Sequence, residues 1–222
     1  MNRSLWPSLL APSPGDSKEF RPRNLRGLFF ITKEIPVSYS PIFEKALRFA
    51  AIAHKNQSRK NSDLPYIYHP FAVSTILHHF KYPLEWRVAA LLHDTIEDTD
   101  KTATDIEQNF GRHIMDLVIG CSEPEHNNAS WEDRKKHTIN FLTTADLPVK
   151  IIACADKIHN LHSILYDHNI AGDKVWLRFN RGKQAQKWYH ENLLTSLFLN
   201  VKNPQNHKIF TEYETLISQI FK

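Results

Sequence analysis

The sequence predicts an all-α protein, and three observations support that prediction. Its 222 residues include only six glycines, while Leu, Ala, Ile, Lys and Glu are well represented. Alternating runs of β-branched residues, which are typical of sandwiches and barrels, are few. Apolar segments with helical spacing follow helix start signals such as Ser40-Pro41. The length suits one ordinary domain with a sizeable hydrophobic core.

The chain divides into an N-terminal extension and a helical domain. Residues 1–38 show no sustained hydrophobic period, and their prolines are Pro7, Pro12, Pro14, Pro22 and Pro36. We therefore expect this extension to be flexible or docked, with the apolar run 28–31 as the docking segment. Residues 39–222 are expected to form the domain.

The first half of the domain contains three predicted helices. Ser40-Pro41 starts the first, and His54 lies near its end. Residues 55–65 are polar and basic, which predicts a loop. Pro70 opens the second helix, and residues 84–98 are predicted to form one continuous third helix.

The second half is also predicted to be helical. Thr104 and Glu107 have the spacing of a capping box, and Gly111 is a natural C-terminal stop. Further helices follow through residues 114–118, after Ser130, and over the closing stretches 175–201 and 209–221. Residues 149–161 are apolar nearly all round before a polar cluster, which predicts a buried helix.

Composition narrows the possible partners. The 28 basic and 24 acidic residues give a formal charge of +4, which is too small to indicate binding to duplex nucleic acid. No apolar run approaches the roughly 20 residues that span a bilayer. Cys121 and Cys154 are isolated in sequence, as expected of reduced thiols rather than a disulfide framework. We expect a cytoplasmic protein with no membrane or nucleic-acid partner.

The first chemical candidate is the end of the third predicted helix. If the helix continues to Asp98, Glu97 lies one turn above His93, and Asp98 lies one turn above Asp94. An acidic helix end is disfavoured by the partial negative charge of the carbonyl end, and a bound cation would remove that objection. The alternative is a solvated helix end without chemistry.

The second candidate is Asp156 in the predicted buried helix. A carboxylate there costs several kcal/mol unless it is paired or bound to a metal. Lys157 is about 100° around the helix and is expected to be a poor direct partner, whereas Asn160 shares the face of Asp156. A buried ion pair remains the alternative to a metal ligand.

A metal centre emerges when the candidates are combined. Two imidazoles and two carboxylates suit Mn²⁺, Fe²⁺, Co²⁺ or Zn²⁺ better than Ca²⁺, and the proposed ligands are His54, His93, Asp94 and Asp156. Such an ion polarises a phosphoryl oxygen and lowers the pKa of bound water. Glu97 and Asp98 would then orient that water or take its proton.

A phosphorylated substrate is suggested by the basic loop before the second helix. Arg59 and Lys60, followed by Tyr66 and His69, supply cations and an aromatic ring suited to phosphate and nucleotide groups. By itself, a basic pair in a loop is more often solvated surface. Lys157 and Lys183 complete the candidates for substrate binding.

Taken together, these motifs resemble the HD-domain metal-dependent phosphohydrolases, especially the hydrolase domain of RelA/SpoT homologues and small alarmone hydrolases. The resemblance covers about residues 42 to 195 and rests on His54, residues 57–60, 65–70 and 89–98, Phe110-Gly111 and residues 155–160.

The resemblance implies an all-α HD domain with Mn²⁺ held by the four ligands above and with Glu97 and Asp98 as the catalytic acidic pair. It also implies substrate contacts at Arg59, Lys60, Asn160 and Tyr189. The implied reaction removes the 3′-pyrophosphate of guanosine tetra- or pentaphosphate (ppGpp or pppGpp). The alternatives are an HD phosphohydrolase of a different nucleotide or phosphorylated metabolite, and a catalytically silent nucleotide-binding module.

Overall fold

A computed structural model describes residues 40–60, 62–122 and 129–222. Within these ranges the regular structure is helical, apart from an isolated antiparallel bridge between Ser58 and Pro65, so the predicted all-α class is confirmed. The α-helices are α1 (Pro41–Ala53), α2 (Tyr68–His79), α3 (Leu84–Leu92), α4 (Thr95–Asp98), α5 (Ala103–Phe110), α6 (Arg112–Cys121), α7 (Trp131–Thr144), α8 (Leu147–Ala171), α9 (Gly182–Phe198) and α10 (Lys208–Ile220).

Two further predictions concern the N-terminal extension and the lack of membrane-spanning segments. The expected extension over residues 1–38, with its docking run 28–31, lies outside the described residues. None of the helices in the described ranges combines the length and the hydrophobicity that a bilayer-spanning segment needs.

Local start and stop signals explain several helix ends. Ser40 caps α1 by accepting a hydrogen bond from the amide of Phe43, and Pro41 is the first helical residue. Gly111 ends α5 with a φ of +85°, which favours glycine. The predicted capping box is wrong by two residues, because Thr102 and Asp105 form it instead.

The predicted continuous helix over residues 84–98 is also wrong, because it breaks between α3 and α4. The Nδ1–H group of His93 donates to the carbonyl of Ala90 at 2.8 Å, and the Thr95 hydroxyl donates to the carbonyl of Leu92 at 2.6 Å. Side chains that bond to helix carbonyls in this way compete with the backbone ladder. His93 and Asp94 therefore lie at the junction of two helices.

Helix α8 lies at the centre of the packing, as its apolar sequence predicts. It contacts α2, α3, α6 and α10, and Ile151, Ile152, Cys154 and Ala155 are fully buried. The helix runs ten residues beyond the predicted end at residue 161, to Ala171. Because α2 and α3 both pack on it, α8 carries Asp156 to the place where these helices meet.

Lys150 joins the ends of two other helices to α8. Its side chain is buried, and its ammonium donates to the carbonyls of Thr143 and Ser196, each at 3.2 Å, and of Leu199. Helices α7 and α9 end at residues 144 and 198, so one cation meets the partial negative charge of both C-terminal ends. Burial lowers the pKa of Lys150.

Replacing Lys150 with Met should lower the free energy of unfolding by about 3 kcal/mol, because buried carbonyls lose a charged donor. Urea denaturation followed by circular dichroism measures this loss. The matched control is Lys187→Met, which removes a solvent-accessible lysine 3.9 Å from Glu191 and should cost about 0.5 kcal/mol or less. Equal losses in the two variants would contradict the role given to Lys150.

Candidate active site

The first feature of the site is a cluster of metal-binding donor atoms. Among the described residues, donors of His69, His93 and Asp94 lie within 4.8 Å of one another. The Nε2 atom of His69 is 3.6 Å from an oxygen of Asp94 and 3.1 Å from Oδ1 of Asp156. Two imidazoles and two carboxylates therefore converge from α2, the α3–α4 junction and α8.

The imidazole that joins this cluster is His69, not the predicted ligand His54. His54 is buried and donates from Nδ1 to Gln57 at 2.7 Å. Its ring packs on the ring of Tyr66, with 4.8 Å between the centroids, and the Tyr66 hydroxyl in turn donates to Asp94. A signal in the sequence could have found His69, because it has helical spacing with the buried residues Val73 and Leu77 of α2.

The tautomer of His93 leaves one ring nitrogen available to bind a cation. Because its Nδ1–H group bonds to a carbonyl, Nε2 carries the lone pair in the neutral ring. This Nε2 atom is buried without a hydrogen-bond partner in the described ranges, although it is 3.1 Å from an oxygen of Asp94. A lone pair facing a carboxylate oxygen is repulsive unless a positive ion lies between them. The donor set therefore fits a divalent ion.

Asp156 is held by three neighbours. Its Oδ2 atom is 2.5 Å from the Lys157 ammonium, so the prediction that Lys157 is a poor direct partner is wrong, because a long flexible side chain reaches back along the helix. Its Oδ1 atom accepts from the Asn160 amide at 2.7 Å. Burial alone would raise the pKa of Asp156, but Lys157 and His69 hold it well below its ordinary value.

A polar network connects the basic loop with these carboxylates. Arg59 donates to Asn160 at 3.0 Å and lies over the ring of Tyr66, 5.6 Å from its centroid. The Tyr66 hydroxyl donates to Asp94 at 2.8 Å. Burial and the charge of Asp94 raise the pKa of Asp98. Loop, acidic pair and donor cluster thus form one connected site.

His159 contacts the donor cluster through His69. Its Nδ1 atom is 2.7 Å from Nδ1 of His69, and its side chain is buried on α8. Burial, together with the nearby His69 and Arg59, lowers the pKa of His159 to about 3. No role for His159 was predicted, although this residue stands in the motif between Asp156 and Asn160.

The donor cluster opens into a cavity of about 460 Å³. Among the residues predicted for catalysis or substrate binding, those that line it are Arg59, Tyr66, His69, Glu97, Asp98, Lys157 and Asn160. A further wall was not predicted: Arg134, Lys135, His137, Thr138 and Phe141 reach the cavity from α7. Only the packing of α7 on the rest of the domain reveals this wall.

Three predicted substrate contacts do not line the cavity. Lys60 is exposed in the loop beside Arg59. Lys183 donates to the carbonyl of Lys222 and lies over the Trp176 ring. Tyr189 is buried against Trp131, where its ring lies under the Lys135 ammonium at 5.1 Å. Tyr189 therefore supports a residue of the cavity wall.

Comparison with known proteins agrees with this geometry. The HD domain family model matches residues 46–174. The chain is 38% identical over 126 residues to the bifunctional (p)ppGpp synthase/hydrolase SpoT of Escherichia coli K12, which covers 54% of this chain and 18% of that protein. It is 32% identical over 130 residues to the guanosine-3′,5′-bis(diphosphate) 3′-pyrophosphohydrolase MESH1 of Danio rerio, which covers 57% of this chain and 71% of that protein.

A solved structure shares the fold over a larger part of the chain. It belongs to a metazoan SpoT orthologue described as hydrolysing ppGpp, and it superposes with a TM-score of 0.65 at 25% identity, covering 82% of this chain and 96% of that one. The family match includes all four converging donors and both acidic residues of the cavity. The chain therefore belongs to the HD-domain family, as a relative of the ppGpp hydrolase domains of SpoT and MESH1.

Proposed function

We propose that this protein is a metal-dependent phosphohydrolase that removes the 3′-pyrophosphate of ppGpp or pppGpp. The observation that carries the proposal is the convergence of His69, His93, Asp94 and Asp156 at a cavity with cationic side chains on its walls. The similarity to SpoT, whose name states (p)ppGpp hydrolysis, and to MESH1, whose name states 3′-pyrophosphate hydrolysis, supports the choice of substrate.

The four converging residues are the proposed metal ligands, and Mn²⁺ is the proposed ion, with Fe²⁺, Co²⁺ and Zn²⁺ as alternatives. A bound divalent ion supplies Lewis acidity toward a phosphoryl oxygen and lowers the pKa of water. His93 contributes a lone pair already directed by its bond to Ala90. Tyr66 holds Asp94 through its hydroxyl, and Asn160 holds Asp156.

Glu97 and Asp98 are the proposed groups for proton transfer. Both line the cavity one turn beyond Asp94, where they can orient the attacking water and take its proton. The Tyr66 hydroxyl, which bonds to Asp94, also lies close enough to Asp98 to influence its protonation. Tyr66 therefore links Asp94, a proposed ligand, to Asp98 of the acidic pair.

The remaining walls suit a phosphorylated nucleotide. Arg59, Lys157, Arg134 and Lys135 place positive charge around the cavity, which favours a polyanion. The apolar side chain of Phe141 lies among them and offers contact area for a nucleobase. One observation supports the alternative, an HD phosphohydrolase of another nucleotide: the predicted substrate contacts Lys60 and Tyr189 do not line the cavity.

We also propose a cytoplasmic location. Cys121 and Cys154 are both free thiols. Reduced cysteines are typical of proteins in a reducing compartment.

A substrate panel tests the proposed reaction. With Mn²⁺, the purified protein should release pyrophosphate from ppGpp, measured by anion-exchange chromatography, and leave GDP as the nucleotide product.

Glu97→Gln should keep the metal but reduce turnover by about 10²-fold or more, because general-base assistance is lost. Intact ppGpp beside a cleaved alternative nucleotide would identify another substrate, and binding without any turnover would identify a silent module.

The revised ligand set is tested by comparing two histidines. His69→Ala should weaken Mn²⁺ binding by about 100-fold or more, since loss of a direct ligand exceeds the usual effect of an outer partner. His54→Ala should bind Mn²⁺ like the natural protein. Equilibrium dialysis with metal analysis measures both, and circular dichroism checks the fold. Loss of metal in His54→Ala alone would restore the original assignment.

The α7 wall is tested by a charge substitution in the cavity. Arg134→Gln should raise KM for ppGpp by about tenfold with kcat little changed, because one charged hydrogen bond to substrate contributes about 1.5 kcal/mol. Lys136→Gln is the matched control, since Lys136 is exposed on the same helix but does not line the cavity. Unchanged KM in Arg134→Gln would remove α7 from the substrate site.

A further inference from the structure

His159 and His69 form a buried pair between two helices. His69 lies at the start of α2 and is 2% exposed, and His159 lies within α8 and is 5% exposed. Their Nδ1 atoms are 2.7 Å apart, with ring centroids separated by 4.8 Å. The rings of Tyr68 and His159 meet edge to face, with their centroids 5.3 Å apart. Little solvent can therefore compete for the bond between the two rings.

The chemistry of two facing ring nitrogens constrains both residues. A hydrogen bond between them requires a proton on one nitrogen and a lone pair on the other. The other nitrogen of His69, Nε2, is the atom that faces Asp94 and Asp156. If Nε2 gives its lone pair to a cation, the proton of the neutral ring must be on Nδ1. His159 must then accept through Nδ1 and carry its own proton on Nε2.

We propose that His159 is a positioning residue that holds His69 with Nε2 directed at the metal and selects the tautomer that can bind it. This inference rests on His69 being a ligand, as proposed above. Outer partners of metal-bound histidines commonly fix ring orientation and raise ligand basicity. Here the partner is a second imidazole carried by the same helix as Asp156, so one helix supplies a ligand and orients another.

Two substitutions of almost identical shape test the proposal. His159→Asn places an amide oxygen close to the position of Nδ1 and keeps an acceptor, whereas His159→Leu has the same branching without one. Both lose the ring contact with Tyr68 equally. His159→Leu should raise the Kd for Mn²⁺ by about 10- to 100-fold, and His159→Asn should recover most of that loss. Competition with a fluorescent metal indicator measures Kd without any substrate.

The outcomes separate this inference from the proposed function. Unchanged Kd in His159→Leu, or equal weakening in both variants, would overturn the positioning role, because packing alone would then explain the pair. If His69→Ala also binds Mn²⁺ normally, the ligand assignment itself is wrong. If His69→Ala loses the metal while His159→Leu keeps it, only the inference about His159 fails.

A measurement on the natural protein covers the case in which His159→Leu does not fold. Two-bond ¹H–¹⁵N spectra distinguish the tautomers of histidine rings, and Zn²⁺ serves as a diamagnetic probe. In the Zn²⁺-loaded protein, His69 should carry its proton on Nδ1 and His159 on Nε2. A proton on Nδ1 of His159 would overturn the proposal.

Discussion

The carboxylate of Asp156 lies in a helix whose other faces form the core, and the site is arranged around that constraint. A buried carboxylate without partners costs several kcal/mol, yet Asp156 is only 9% exposed. Lys157, Asn160 and His69 each contact it. These contacts bring residues of α2 and α8 together. The same concentration of oxygen and nitrogen donors is what a divalent cation requires.

The helix break between α3 and α4 places His93 and Asp94 in the same site. In an uninterrupted helix, His93 and Asp94 would point about 100° apart. The bonds from His93 to Ala90 and from Thr95 to Leu92 interrupt the ladder. His93 and Asp94 then both lie close to His69, at the start of α2. The acidic pair follows in the next turn and lines the cavity. A local competition for carbonyls thus shapes the site.

The C-terminal helices α9 and α10 contribute by fixing the position of α8. The family match ends at residue 174, before α9 and α10, but α10 packs along α8. Cys154, two residues before Asp156, bonds to the carbonyl of Ile209. His190 of α9 bonds to the Tyr213 hydroxyl of α10 at 2.6 Å. Polar pairs inside an apolar interface specify one arrangement of these helices only if they are satisfied, and this pair is.

The sequence by itself determined the helical class, the cap at Ser40, the buried helix and the carboxylate that it carries. Apolar periodicity and capping act over one or two turns, so these features are visible in short stretches of residues. Tertiary structure alone decided that His69 lies in the donor cluster with His93 and Asp94, that α7 forms a wall and that Tyr189 supports it from the core. These relations depend on which helices pack together and at what angle, and spacing along the chain does not specify that geometry.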